Sequence, residues 1–113
     1  MNKNIFICSV VLLLVMISGC VGVIGSPVSQ EQIDLWLSKR TFSNEYDCNE
    51  YSRDACRDLF DNNCMCVIGS HYGSNHMWIE VEGKGFETTT GKWVWSYDLQ
   101  RYEPYGEPFR CNL

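Results

Sequence analysis

Apolar residues form one long run near the start of the chain, from Ile5 to Ile24, and afterwards recur first at helical and then at alternating spacing. Ser29 and Gln32 make a Ser-x-x-Gln capping box, and Ile33, Trp36 and Leu37 follow on one face, which predicts a short helix from about Gln30 to Lys39. The polar loop "TFSNE" at 41 to 45 ends it. A second helix is predicted behind Asp47, whose side chain can cap it, with Glu50 at the reciprocal position and Asn62-Asn63 as the stop. Cys48, Tyr51 or Ser52, Ala55 and Leu59 share one face, so the core-facing stripe carries Cys48 at its leading edge.

Past residue 63 the period changes to two. "CMCVIG" at 64 to 69 and "HMWIEVE" at 76 to 82 alternate, Gly83-Lys84-Gly85 predicts a turn back onto "FETTT" at 86 to 90, and "KWVWSY" at 92 to 97 reads as a further strand. With the turn centred on Lys84, Glu87 falls nearest Glu80, and Gly91 or Lys92 lies across from His76. The tail "RYEPYGEPFR" reads as an irregular strap that Cys111 can pin down. Helices followed by strands predict an α+β fold, with N-terminal helices packed on a small antiparallel sheet and a signal or anchor helix in front.

The leading run changes where this domain works. Lys3, the apolar stretch and the small residues after it make an export segment. Within it Ile17-Ser18-Gly19-Cys20 resembles a prokaryotic lipobox, which implies a signal peptide over residues 1–19, lipidation of Cys20, a linker over 20–28 and one domain over 29–113. The alternative is an uncleaved anchor, since about 20 apolar residues span a bilayer. Either way Lys3 stays inside, and the domain sits at the cell membrane on its extracytoplasmic face.

The whole chain carries 9 basic and 14 acidic residues, a net charge of −5. Residues 1–19 contain Lys3 and no acid, so the remainder has 8 basic against 14 acidic residues and a formal charge of −6. That balance, without a basic cluster, excludes nucleic acid and disfavours acidic partners. A domain this small gains from covalent staples, and Trp36, Trp78, Trp93 and Trp95 supply much of the apolar area available for a core. Of the seven cysteines, Cys8 leaves with the signal and Cys20 goes to lipid. Five remain, an odd number: two disulfides leave one thiol. Cys64 and Cys66 are unsuited to each other, which points to Cys56 and Cys111 as their partners and leaves Cys48 over.

A thiol in the first turn of a helix feels the positive end of the helix dipole, although Asp47 and Glu50 oppose ionisation, so activation needs a base brought by the fold. Of the two histidines, His76 opens an alternating strand that holds its side chain on one face, whereas His71 lies in the Gly-bounded loop "GSHYGSNH". "YDCNEYSRDACRDLF" and "NHMWIEVEGKGFETTTG", spanning roughly residues 44 to 91, resemble the transglutaminase-like, more broadly papain-like, cysteine acyltransferases and peptidases. The resemblance lies in a helix with a leading cysteine, a His-x-Trp strand, a glycine turn and a returning strand that ends in an acid. It implies Cys48 as nucleophile, His76 as general base and then acid, and Glu87 as the group that orients the imidazole. The family usually has aspartate at that third position, and Asp98 is the substitute if the strand pairing slips. The backbone N–H of Cys48 is a candidate oxyanion donor, and Asn44 a candidate side-chain donor.

The chemistry so implied is attack of the Cys48 sulfur on the amide carbonyl of a protein or peptide, giving a thioester that water or an amine resolves, with no cofactor and no metal. Two other readings stay open. One is a non-catalytic, disulfide-stabilised lipoprotein domain that binds a surface partner. The other is a metal site made of Cys64, Cys66, His71 and His76, four ligands within 13 residues, though in an uncommon spacing.

Overall fold

The computed structural model describes residues 28–112. The export segment, the lipobox with Cys20 and all but the end of the linker lie outside the described residues. Among those that are described, no helix is long and apolar enough to cross a membrane.

The expectation of a helix-led α+β fold is corrected. The domain is dominated by an antiparallel sheet curled into a half-barrel, with only two short helices against it. Helix α1 spans Gln30–Ser38 and α2 spans Cys48–Phe60. The sheet comprises β1 (Met65–His71), β2 (Ser74–Val81), β3 (Lys84–Glu87), β4 (Lys92–Val94), β5 (Tyr102–Pro104) and β6 (Phe109–Arg110). Its order is β4-β3-β2-β1-β5, with β6 also on β1. The tail makes the difference. It is no irregular strap: Tyr102, Glu103 and Pro104 pair with His71, Ser70 and Gly69, and Phe109 and Arg110 pair with Cys66 and Met65, so both pieces close the free edge of β1.

Local chemistry accounts for the elements. Ser29 accepts from the Gln32 N–H at 3.1 Å while the Gln32 side chain accepts from the Ser29 N–H at 2.9 Å, a reciprocal box that starts α1. Asp47 caps α2 by accepting from the Asn49 N–H at 2.9 Å, and Asp61 ends it in the left-handed conformation. The β2–β3 turn is tighter than the sequence implied. Glu82 and Gly83, at φ 52° and 78°, form a two-residue hairpin turn that pairs Val81 with Lys84, Glu80 with Gly85 and Ile79 with Phe86. The β4 strand stops at Val94, three residues short of the expected end.

Alternation divides the sheet into two faces. Cys66, Met77, Ile79 and Phe86 pack with Ile33, Trp36, Tyr51, Ala55, Cys56 and Phe60 beneath the helices. Val67, Trp78, Val94 and Tyr102 form a second cluster on the opposite face. Trp36 and Trp78 are buried, Trp93 is partly exposed but packs edge-on against Phe60 and Phe86 at the rim of the core, and Trp95 is exposed. Gly69 sits where β5 crosses closest: a Cβ there would stand 2.3 Å from the Glu103 carbonyl oxygen and 2.7 Å from the Trp78 ring, so no larger residue fits.

Two disulfides, Cys56–Cys64 and Cys66–Cys111, staple α2 to the start of β1 and β1 to the tail. The Arg53 guanidinium donates to the Cys111 carbonyl and adds a further tie between α2 and the tail. Cys48 is the free cysteine of the described residues.

Candidate active site

His76 enters β2 opposite Gly69, and by alternation its ring shares a face with Trp78. Glu87 closes β3, one residue beyond the Ile79–Phe86 pair, so its side chain turns to that same face. There the His76 Nε2 lies 2.7 Å from Glu87 Oε1. The correction to the hairpin register explains the meeting. With the turn centred between Glu82 and Gly83 instead of on Lys84, Glu87 moves along β2 from beside Glu80 to a place across from Trp78, two residues from His76. Asp98, the substitute for Glu87, is exposed in a turn beyond β4, and Asn44 is exposed in the bend before α2.

The Glu87 carboxylate, only 4% exposed, is saturated with donors. Besides His76, Oε1 accepts from the Tyr102 hydroxyl at 2.8 Å; Oε2 accepts from the Thr89 hydroxyl at 2.7 Å and the Thr89 N–H at 3.2 Å. Burial alone pushes this carboxyl up, but the hydrogen bond from His76 and the charge that ring carries when protonated, with the donations from Thr89 and Tyr102, outweigh it and hold the group below its ordinary value. Glu87 is therefore ionised, and His76 presents Nε2–H to it. The other ring nitrogen, Nδ1, is the one free to act as a base. Burial and the Glu87 charge push the Tyr102 hydroxyl strongly up, so it stays a donor.

This arrangement predicts an acid-sensitive core. In the unfolded chain Glu87 titrates near the usual value, about 4.3. Because the folded value is lower, its contribution is complete above that pH and drains away as pH falls through the native value. Urea midpoints taken at about pH 6 and about pH 3 should show a loss on acidification that is smaller in Glu87→Gln. Equal losses in both proteins would show that the carboxylate carries no such linkage.

Cys48 is placed by the docking of α2. One turn further on, Ser52 is fully buried and its hydroxyl lies 3.3 Å from the Met77 carbonyl oxygen and 3.1 Å from the Thr88 hydroxyl, which fixes the head of the helix against β2 and the end of β3. This brings the Cys48 sulfur close to the backbone of Met77, the residue after His76, and within the field of Glu87. Among the described residues, no hydrogen bond joins Cys48 to His76 itself. Burial pushes the thiol above its ordinary value; Asp47 and Glu87 add to this, while the Met77 and Cys48 backbone groups oppose it. The sulfur rests as a thiol, so the helix dipole does not prevail.

The metal set of Cys64, Cys66, His71 and His76 is overturned: both sulfurs are bonded to other cysteines. His71, expected in an unfixed loop, is the last residue of β1 and stacks on Tyr102 with ring centroids 3.8 Å apart and planes 13° apart. The sequence carried a signal for this. Tyr72 and Gly73, at φ 51° and 80°, are a two-residue hairpin turn that extends both strands to its edges. Nothing local pointed to Tyr102 or Thr89 as partners of Glu87. Comparison with family models, with curated proteins and with solved structures found no match.

Proposed function

We propose that this domain is a cysteine acyltransferase or peptidase of transglutaminase-like chemistry, acting on a protein or peptide amide through a thioester on Cys48. The observation that carries the reading is an unbridged thiol at the head of α2, against the backbone beside a histidine whose Nε2 is held by a buried carboxylate. With Nε2–H committed to Glu87, His76 takes the thiol proton on Nδ1 as the sulfur attacks the carbonyl carbon. The oxyanion forms at the N-terminus of α2, where the Cys48 N–H is a candidate donor. The imidazolium then returns its proton to the leaving amine as the C–N bond breaks. Water, deprotonated at Nδ1, or a second amine resolves the thioester.

The resting thiol suits a base that acts in step with attack, not a standing ion pair. The same burial supports a second reading, a stapled domain that binds a surface partner and does no chemistry. Export and attachment to the membrane belong to the proposal as well. The lipobox-like segment and the two disulfides support a lipid-anchored protein on the extracytoplasmic face.

An acyl-transfer probe decides between the two readings. Brief reaction with p-nitrophenyl acetate followed by an acid quench should leave one acetyl group, mapped by peptide mass spectrometry to Cys48 and labile to hydroxylamine. Labelling spread over lysines and tyrosines with Cys48 unmodified would leave only the binding domain.

A further inference from the structure

The His76–Glu87 pair opens onto a cavity of about 380 Å³, lined among others by His71, His76, Glu87, Thr89, Gln100 and Tyr102. Cys48 is not among its lining residues. Three metal-binding atoms meet at this cavity, one each from His71, His76 and Glu87, all within 4.8 Å of one another. We propose that His71, His76 and Glu87 bind a divalent transition ion such as Zn²⁺, with its remaining position open to the cavity, and that the bound ion switches Cys48 off.

Two imidazoles and a carboxylate are a donor set that suits zinc, and a three-ligand set leaves a position for water. The shell behind the ligands is already in place. Stacking on Tyr102 holds the His71 ring, and the Tyr102 hydroxyl and Thr89 fix the carboxylate. Glu87 supplies the negative charge; Lys92 also lines the cavity but is exposed, so its ammonium remains in water. Entry of the ion replaces the proton between His76 Nε2 and Glu87 Oε1, and the two atoms must part from 2.7 Å to about 3.3 Å to share a tetrahedral ion. The displaced proton moves to Nδ1. An imidazole with a metal on Nε2 and a proton on Nδ1 has no lone pair left for the Cys48 proton. The switching half rests on the acyl-transfer reading; the binding half does not.

The test is titration of the full chain with Zn²⁺ against a chromogenic zinc indicator, with Co²⁺ absorption as a second measurement. Expected are one equivalent bound, at least a tenfold weakening in His71→Gln, unchanged binding in Cys48→Ala, and visible cobalt bands without thiolate charge transfer. Zinc should also slow acetylation of Cys48 in the wild type and not in His71→Gln. No binding by the wild type, binding that survives His71→Gln, or a thiolate–cobalt band would overturn the site. The cobalt spectrum needs no variant, so a His71→Gln chain that fails to fold leaves the question answerable. Binding as described with Cys48 inert both with and without zinc would keep the site and sink the enzyme.

Discussion

Replacing Cys48 with alanine is expected to abolish acyl transfer, lowering kcat/KM by about 10⁴-fold or more, while the folded state is kept. His76→Ala should fall by roughly 10² to 10⁴, because it removes both the proton acceptor for the sulfur and the donor for the leaving group. Because the two groups act on one proton, the double variant should be scarcely worse than Cys48→Ala alone. Glu87→Gln should cost less, roughly 10²-fold, since an amide oxygen can still accept from Nε2–H but brings no charge. Circular dichroism and urea midpoints on the same proteins separate lost chemistry from lost fold. Cys48→Ala that retains activity, or additive losses in the double variant, would mean that the thiol and the imidazole do not work together.

The second large effect is on stability and concerns the staples. Cys66–Cys111 closes a loop of 45 residues and Cys56–Cys64 one of only 8. Loop-closure entropy then assigns roughly 4 kcal/mol to the long bridge and roughly 2.5 kcal/mol to the short one. A large fraction of the stability of so small a domain depends on them. The measurement is urea unfolding of the Cys66→Ala/Cys111→Ala and Cys56→Ala/Cys64→Ala pairs, both in a Cys48→Ala background so that the free thiol cannot exchange with the bridges. The long pair should be the more damaging. It also releases β6 from β1 and exposes the edge that the tail covers. A loss below about 1 kcal/mol for the long pair would show that β5, β6 and the Arg53 contact hold the tail without it.

Much of the local structure was legible along the chain because it rests on short-range chemistry. The capping box at Ser29, the cap at Asp47 and the alternation through Met77, Trp78 and Ile79 each depend on neighbours within four residues. The odd cysteine count followed from arithmetic, and among the described residues Cys48 is the free thiol. The sheet-dominated architecture was not legible. Tyr102 to Pro104 and Phe109 to Arg110 are too short and too rich in proline and charge to read as strands; they become strands because β1 offers unpaired backbone groups.

The register of one hairpin shows how far local pattern reaches. Centred on Lys84, the hairpin would have put Glu87 beside Glu80; turned at Glu82 and Gly83, it puts Glu87 on His76. Which turn forms depends on how Ile79 and Phe86 bury under α2 and how Trp78 buries on the other side, and such packing is spread over the whole domain. By itself, then, the sequence determined the helices and their caps, the alternating strands, the surplus thiol and the residue types available for chemistry, all through local geometry and counting. Only the tertiary structure decided the sheet's extent, the saturation of Glu87 by Tyr102 and Thr89, the place of His71 and the neutral state of Cys48, because each depends on burial and on contacts between residues distant in the chain.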